Sequence, residues 1–216
     1  MPQFLSARAV LLDMDGTLVD STSVVERLWL AWAAEHDVDP DAVLEVIHGR
    51  QGHESMAILL PGRDPAINAQ ENAALLKAES TQTDGVVAVA GACALLAALA
   101  HAPHALVTSA DRVLAAARMG AAGLRMPQVR ITAEDVSRSK PDPEGFLRAA
   151  GLLGAAPEDC VVIEDSPAGI AAGRAAGMPV IGVGSRAAGQ GAHAVVADLT
   201  TVDVCEDAGA LRIRIG

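Results

Sequence analysis

The stretch that decides the fold is DMDGTLVD, residues 13–20, which directly follows the apolar run Ala9–Leu12. The apolar run predicts a buried strand, and ligands of open α/β sheets bind at the carboxyl ends of the strands. Residues two apart on an extended chain face the same side, so Asp13 and Asp15 can address one ligand, and Gly16 permits a tight turn after them. The pattern indicates two carboxylates at a sheet edge, although an ordinary Asp-Gly turn would also explain this motif alone.

Apolar runs and helical segments alternate along most of the chain. The runs span residues 9–12, 105–107, 129–131, 161–163 and 180–183, and helical segments span residues 91–100, 111–119, 144–150 and 167–176. This alternation predicts an α/β fold built on a parallel sheet.

The pattern is interrupted between residues 21 and 80, where amphipathic helical segments occur without a convincing strand. We therefore expect an α-helical domain of residues 19–83, inserted into a core formed by residues 1–18 and 84–216. Trp29 and Trp32 lie three residues apart and share a helix face, which favours packing inside this insert over a role in lining a cleft.

Polar side chains follow three other predicted strands. Thr108 and Ser109 lie between a strand and the start of a helix, whose free amides attract anions. Lys140 lies in the sequence Ser-Lys-Pro-Asp-Pro, where the prolines favour a stiff extended loop. Glu164 and Asp165 end another strand, and paired carboxylates there need a cation or hydrogen bonds. Each motif alone has an ordinary explanation, such as a helix cap or an exposed lysine.

Taken in order, the four motifs resemble those of the haloacid dehalogenase superfamily: a D-x-D-G-T start, a Ser/Thr strand end, a loop lysine and a terminal acidic pair. The resemblance covers nearly the whole chain. It implies a doubly wound, Rossmannoid α/β core with the spatial strand order 5-4-1-2-3 and an α-helical cap inserted after the first motif. The insert deduced above lies at that position.

The resemblance also implies roles for these residues. Asp13 is expected to be the nucleophile, which carries an aspartyl-phosphate, and Asp15 the general acid/base. Thr108, Ser109 and Lys140 are expected to bind the phosphoryl oxygens. The expected Mg²⁺ ligands are the Asp13 carboxylate, the Asp15 backbone carbonyl and Asp165. Three roles stay open for Glu164: a direct metal ligand, a ligand through water, or a support for Lys140.

The cap contains the segment VIHGRQGHE, residues 46–54, between helical stretches. We expect His48, Gly49, Arg50 and His53 to contact the substrate. This segment and the ITAEDV segment at residues 131–136 are similar to those of bacterial sugar phosphatases, yeast glycerol-3-phosphatase and 2-deoxyglucose-6-phosphatase, which implies a sugar or polyol phosphate. The alternative is a solvated connector between helices.

Other activities on the same fold are distinguished by single residues. A sugar-phosphate mutase shares all four motifs, but β-phosphoglucomutase carries a histidine on the first cap helix where this chain has Val25. In hydrolytic dehalogenases the second aspartate is not kept, so Asp15 argues against that class. A phosphonate hydrolase needs a cap lysine, whereas Lys77 lies near the far end of the insert. A non-catalytic phosphometabolite-binding module is the remaining alternative.

Composition limits the partners and the compartment. A net charge of −11, 2% aromatic residues and no tyrosine argue against nucleic acid. The three widely spaced cysteines indicate a reducing compartment, and no apolar run approaches the roughly 18 residues of a membrane span. The N-terminal residues also lack the pattern of a signal peptide. We therefore expect a cytoplasmic protein, a monomer or weak homodimer, whose partner is a small phosphorylated metabolite.

Overall fold

The computed structural model describes residues 3–207 and 209–216. Its strands are β1 (Gln3–Ala7), β2 (Ala9–Leu12), β3 (Val19–Asp20), β4 (Val87–Ala88), β5 (His104–Val107), β6 (Val129–Ile131), β7 (Cys160–Glu164), β8 (Val180–Val183), β9 (Ala194–Val196), β10 (Val202–Asp207) and β11 (Ala210–Ile215). Its α-helices are α1 (Thr22–Glu35), α2 (Pro40–Val46), α3 (Gly52–Leu59), α4 (Pro65–Thr81), α5 (Ala92–Ala98), α6 (Arg112–Ala121), α7 (Glu144–Leu153) and α8 (Pro167–Ala175).

A six-stranded parallel sheet in the order β6-β5-β2-β7-β8-β9 forms the centre of the molecule. Counted from β2 along the five predicted strands, this order is the expected 5-4-1-2-3, and β9 adds an edge strand. The α/β fold with a doubly wound core is therefore confirmed. Strand β2 lies between β5 and β7, so the residues that follow it reach the middle of the sheet edge, where a ligand binds in such folds.

Helices cover both faces of this sheet because the residues of β2 alternate between them. Val10 and Leu12 belong to an apolar cluster that includes residues of α5 and α6. Ala9 and Leu11 belong to a second cluster with residues of α7 and α8. All four residues of β2 are fully buried, which explains why its sequence is continuously apolar.

A second sheet, of three antiparallel strands in the order β1-β11-β10, was not predicted. It joins the two ends of the chain, with Leu5 opposite Ile213. In β11 Leu211, Ile213 and Ile215 are buried, whereas Arg212 and Arg214 are exposed. That alternation is typical of a half-buried strand and could have identified β11 from the sequence.

Helices α1 to α4 lie between β3 and β4, which pair antiparallel with Val19 opposite Ala88. The chain thus leaves the core and returns to it at one place. The helices have an apolar cluster of their own, in which Trp29 and Trp32 pack edge to face with their rings 5.5 Å apart. The exact division of the chain into a cap of residues 19–83 and a core stays a prediction.

Among the described residues, no helix combines the length and the apolar character that crossing a bilayer requires.

Candidate active site

Side chains from all four motifs lie together at the carboxyl ends of the central strands. The Nζ atom of Lys140 is 2.6 Å from Asp13 Oδ1 and 2.9 Å from Glu164 Oε1, and it donates to the Val107 carbonyl at 3.0 Å. Lys140 lies between β6 and α7, at the Ser-Lys-Pro-Asp-Pro loop, and is only 6% exposed. A buried ammonium group thus lies directly between two carboxylates.

The charges of this cluster stabilise one another. Burial alone would lower the pKa of Lys140, but the carboxylates of Asp13 and Glu164 outweigh it and raise that pKa above its usual range. Burial raises the pKa of Asp13, and Glu164 and Asp165 add to the effect, while Lys140 opposes it. Lys140 is therefore the charge that opposes protonation of Asp13.

Asp13, Glu164 and Asp165 form an acidic cluster that could hold a metal ion. One oxygen from each lies within 4.8 Å of the others, and all three residues are buried. Burial and the neighbouring Glu164 carboxylate raise the pKa of Asp165 to about 7, and Arg186, 2.7 Å away, opposes this rise. Three buried carboxylates near one another require positive charge, and hard oxygen ligands suit Mg²⁺.

The backbone at Gly16 closes around this cluster. Gly16 has φ +84°, and a Cβ atom there would collide with Asp165 Oδ2. A glycine is therefore needed for the turn after Asp15 to approach Asp165. This close approach brings the backbone of the first motif to the carboxylate of the last one, as the predicted metal site requires.

Glu164 has partners at both of its oxygens. Oε1 accepts the hydrogen bond from Lys140, and Oε2 accepts bonds from Ser166 N at 2.5 Å and Ser166 Oγ at 2.9 Å. Of the three roles left open by the sequence, these contacts favour support of Lys140. They also fix the start of α8, because Ser166 Oγ caps that helix by accepting from Gly169 N.

Asp15 is held by two residues that the sequence analysis did not identify. Ser21 Oγ donates to Asp15 Oδ1 at 2.7 Å, and Arg118 Nη1 lies 2.7 Å from Asp15 Oδ2. Arg118 also pairs with Glu79 of α4 at 2.6 Å. The signal for Arg118 was present, since it lies on the face of α6 that buries Leu114, and a charged residue on an apolar helix face is unusual.

The two hydroxyl residues after β5 line a cleft that also contains Asp13 and Asp15. Thr108 is 6% exposed, and its Oγ1 accepts a hydrogen bond from Ala110 N. The Ser109 hydroxyl donates to the Gly49 carbonyl of the cap at 3.0 Å. Ser109 is thus a contact between core and cap as well as a residue of the cleft.

The predicted substrate loop covers this cleft. His48, Gly49 and Arg50 line it, whereas His53, the second residue of α3, is not among the described lining residues. Gly49 has φ +80°, and a Cβ atom there would collide with the Ser166 side chain. Glu54 accepts a hydrogen bond from Ser139, next to Lys140. The cap therefore packs closely on the core around the acidic cluster.

His48 lies in this covered region, where burial lowers its pKa to about 4 and the positive charge of Arg186 contributes. Its Nε2 is 3.6 Å from Glu26 Oε1, which is too far for a strong hydrogen bond. In the unfolded chain a histidine has a pKa near 6.5. The folded protein therefore binds fewer protons than the unfolded chain between pH 6.5 and 4, and loses stability as the pH falls through that window.

We expect this loss to disappear in His48→Gln. Between pH 7 and pH 5 the free energy of unfolding of the wild type should fall by on the order of 1–2 kcal/mol relative to that of the variant. Urea unfolding at both pH values measures the difference. His101→Gln, which replaces an exposed histidine, is the control. An equal pH dependence of wild type and His48→Gln would contradict a buried neutral His48.

Comparison with known proteins extends these observations. Hexitol phosphatase A of Escherichia coli (strain K12) is 46% identical over 185 residues, with 85% of this chain and 86% of the relative covered. Two Saccharomyces cerevisiae proteins also match. 2-Deoxyglucose-6-phosphate phosphatase 2 is 34% identical, with 96% and 94% covered. Glycerol-1-phosphate phosphohydrolase 2 is 32% identical, with 84% and 76% covered. The similarity to sugar and glycerol phosphatases inferred from the cap segment is confirmed.

A crystal structure of a hydrolase from Pseudomonas syringae has the same fold. It superposes with a TM-score of 0.77 at 24% identity and covers 89% of this chain and 94% of its own. The model of the haloacid dehalogenase-like hydrolases matches residues 7–177, a range that begins before the first aspartates and ends beyond the acidic pair. With all four motifs inside that range, the chain belongs to the haloacid dehalogenase-like hydrolase family, and the three relatives compared above are phosphatases.

Proposed function

We propose that this protein is a Mg²⁺-dependent phosphatase that hydrolyses small sugar or polyol phosphates through an aspartyl-phosphate on Asp13. The observation that carries the proposal is the buried contact between Lys140 and Asp13, an aspartate that lines the same cleft as Asp15. Burial of a lysine with two carboxylates adds little net stability because of the desolvation that it requires, so these charges indicate a functional role. Here it faces the position that a phosphoryl group would occupy.

The first chemical step is attack of Asp13 on phosphorus. Because Lys140 engages Oδ1, Oδ2 is the oxygen offered to the substrate. A carboxylate and a phosphate charge about 4 Å apart repel by about 4 kcal/mol at an effective dielectric constant near 20, and the Lys140 ammonium offsets part of this. The new acyl-phosphate bond forms as the ester P–O bond breaks, and the leaving alkoxide takes a proton from Asp15.

The second step returns Asp13 to its free state. Asp15, now ionised, takes a proton from a water molecule, which attacks phosphorus and breaks the acyl-phosphate bond, so that inorganic phosphate is released. One carboxyl group thus serves as acid and then as base. The cap contacts at Gly49 and Glu54 lie over the site and would limit the entry of bulk water during the first step, before the reacting water molecule is needed.

The side chains of Asp13 and Asp165 and the backbone carbonyl of Asp15 are the ligands we assign to Mg²⁺. When bound there, the ion would supply the positive charge that offsets the phosphate and the acidic cluster. Glu164 serves the site through its bond to Lys140. Thr108 and Ser109 lie just before α6 and line the cleft. The Thr108 hydroxyl, which accepts from Ala110 N, keeps its own proton for a phosphoryl oxygen, whereas the Ser109 hydroxyl donates to Gly49, so Ser109 would offer its backbone N–H.

The names of the relatives and the lining of the cleft support a hydroxylated leaving group. Hexitol and glycerol phosphates are polyol esters, and His48, Arg50 and Asn72 offer polar groups in the cleft. Val25 also lines the cleft, at the position that carries a histidine in β-phosphoglucomutase, and it cannot transfer a proton. This favours net hydrolysis over the mutase reaction. Substrate contact by His53 stays a prediction.

Release of inorganic phosphate from a panel of phosphate esters, with and without Mg²⁺, tests the proposal. We expect release from hexitol or glycerol phosphates that depends on added metal. Binding of these esters without any release would favour the non-catalytic module. Conversion of glucose 1-phosphate into glucose 6-phosphate faster than phosphate appears would favour the mutase.

Arg50→Ala should lower kcat/KM for the preferred polyol phosphate by roughly 1.5–3 kcal/mol, the scale of a charge-assisted hydrogen bond. The kcat/KM for an aryl phosphate, which offers no hydroxyls, should fall much less. Arg27→Ala, at an exposed position of α1, is the control in the cap. Equal losses on both esters would assign Arg50 to phosphate binding or to cap closure, and no loss on either would return the loop to a solvated connector.

We infer a cytoplasmic location and a monomer or weak homodimer. Cys93, Cys160 and Cys205 are all free, which fits a reducing compartment. The partner is a small phosphorylated metabolite, and the net charge of −11 disfavours nucleic acid.

A further inference from the structure

A buried guanidinium group joins the cap to Asp15. Arg118 of α6 is 4% exposed and Glu79, near the end of α4, is 6% exposed. Arg118 Nη2 lies 2.6 Å from Glu79 Oε2, while Nη1 of the same group lies 2.7 Å from Asp15 Oδ2. One planar side chain therefore contacts a cap carboxylate and a core carboxylate at once.

The arrangement is costly for stability alone. The Arg118 guanidinium group and the Glu79 carboxylate have been taken out of water, while the Asp15 side chain keeps 29% exposure at the cleft. Buried ion pairs are often no more stabilising than apolar residues of similar size. Burial raises the pKa of Glu79 to about 7, although Arg118 opposes this. A structural bond between α4 and α6 could be made by apolar contacts, so the charges point to a role in the site.

Both connections between core and cap reach the Asp15 carboxylate. Ser21, directly before α1, donates to Oδ1. Glu79, close to the return from α4, reaches Oδ2 through Arg118. The two oxygens of Asp15 are thus oriented by the two ends of the cap. Because a guanidinium group is rigid and planar, displacement of Glu79 would reorient Arg118 and with it Asp15.

We propose that Arg118 is a positioning residue, held by Glu79, that orients Asp15 for proton transfer when the cap is closed. The proposal rests on the proposed function, in which Asp15 protonates the leaving alkoxide. It couples chemistry to cap closure, because the acid is correctly oriented only while α4 lies against α6. Neither Arg118 nor Glu79 needs to touch the substrate for this role.

The test compares a poor leaving group with a good one. An alkyl ester such as glycerol 3-phosphate needs a proton at its leaving oxygen, whereas 4-nitrophenyl phosphate needs almost none. Arg118→Lys keeps the charge but loses the planar fork, and Glu79→Gln keeps the shape but loses the ion pair. We expect each variant to lose about 10-fold or more in kcat/KM on glycerol 3-phosphate, and only about 3-fold or less on the aryl ester.

Ser21→Ala and Asp15→Asn complete the series. Ser21→Ala removes the other bond to Asp15 without leaving a buried charge unpaired, so it tests whether the orientation of Asp15 controls proton transfer. Its kcat/KM should also fall more on glycerol 3-phosphate than on the aryl ester. If Arg118→Lys unfolds, Glu79→Gln still tests the role of Arg118. Asp15→Asn removes the acid itself, so it should show the largest difference between the kcat/KM losses on the two esters. Thermal unfolding of each variant shows whether it is folded.

Binding separates positioning from recognition of the substrate. In the Asp13→Asn background, which cannot turn over, the affinity for glycerol 3-phosphate should be the same with and without Glu79→Gln. Weaker binding together with equal kinetic losses on both esters would make Glu79 and Arg118 a substrate site and overturn the proposal. Equal kinetic losses with unchanged binding would leave only a structural role and overturn it too.

If the proposed function itself is wrong, the same experiments give results that differ from those that reject a role for Arg118. A wild type that releases phosphate from neither ester would remove the enzyme assignment, and this proposal with it. An active wild type whose Asp15→Asn variant shows no dependence on leaving group would remove the role of Asp15. Only an active wild type with a leaving-group-dependent Asp15→Asn variant, and variants at Glu79, Arg118 and Ser21 that follow it, supports the proposal.

Discussion

Asp13→Asn is expected to reduce phosphate release by roughly four orders of magnitude or more, to the level of contaminating activity. The amide is a poor nucleophile and cannot carry the phosphoryl group as an acyl-phosphate. Asparagine has nearly the shape of aspartate, and Lys140 keeps its contact with Glu164, so the fold should persist. Steady-state phosphate release, with mass spectrometry to exclude reversion of the amide, measures the effect.

Two controls make this result specific to the nucleophile. Asp41→Asn, at an exposed position of α2, should leave activity unchanged. Wild-type protein quenched in acid during turnover should gain the mass of one phosphoryl group, and Asp13→Asn should not. Normal turnover by a verified Asp13→Asn sample would remove the aspartyl-phosphate from the mechanism.

The sheet and its order could be predicted because they depend on local patterns. Each of the five predicted strands is a short, mainly apolar run, and three of the four motifs directly follow one of these runs, while Lys140 lies on the loop between β6 and α7. The sheet of β1, β10 and β11 was missed because its pairing joins the two ends of the chain. Leu5 and Ile213 are partners about two hundred residues apart, and no local pattern in either strand names the other.

The clustering of the core motifs could be predicted for the same reason, whereas the contacts between core and cap could not. Residues in the core motifs lie together because parallel strands end at one edge of the sheet. The contact between Arg118 and Glu79 joins a core helix to a cap helix, and a sequence gives no measure of that approach. The substrate loop is an intermediate case: His48 and Arg50 line the cleft, whereas His53, in the first turn of α3, is not among the described lining residues.

Removal of divalent metal is expected to stop hydrolysis, and Mg²⁺ is expected to restore it. The acidic cluster of Asp13, Glu164 and Asp165 carries more negative charge than Lys140 and Arg186 neutralise once a phosphate dianion enters. Treatment with a chelator, followed by dialysis and titration with Mg²⁺, measures the requirement. Undiminished activity in metal-free buffer would exclude a role for metal in this site.

Asp165→Asn shows whether this cluster is the metal site. The amide keeps the shape of the side chain but has no charge, so it should bind Mg²⁺ much more weakly and raise the concentration for half-maximal activity about 10-fold or more. Titration calorimetry with Mg²⁺ should show the same loss of affinity without any substrate. Asp41→Asn again serves as the control. Because Arg186 pairs with Asp165, Arg186→Gln should act in the opposite direction: it frees the carboxylate and should strengthen Mg²⁺ binding. An unchanged metal requirement in Asp165→Asn would place the ion elsewhere.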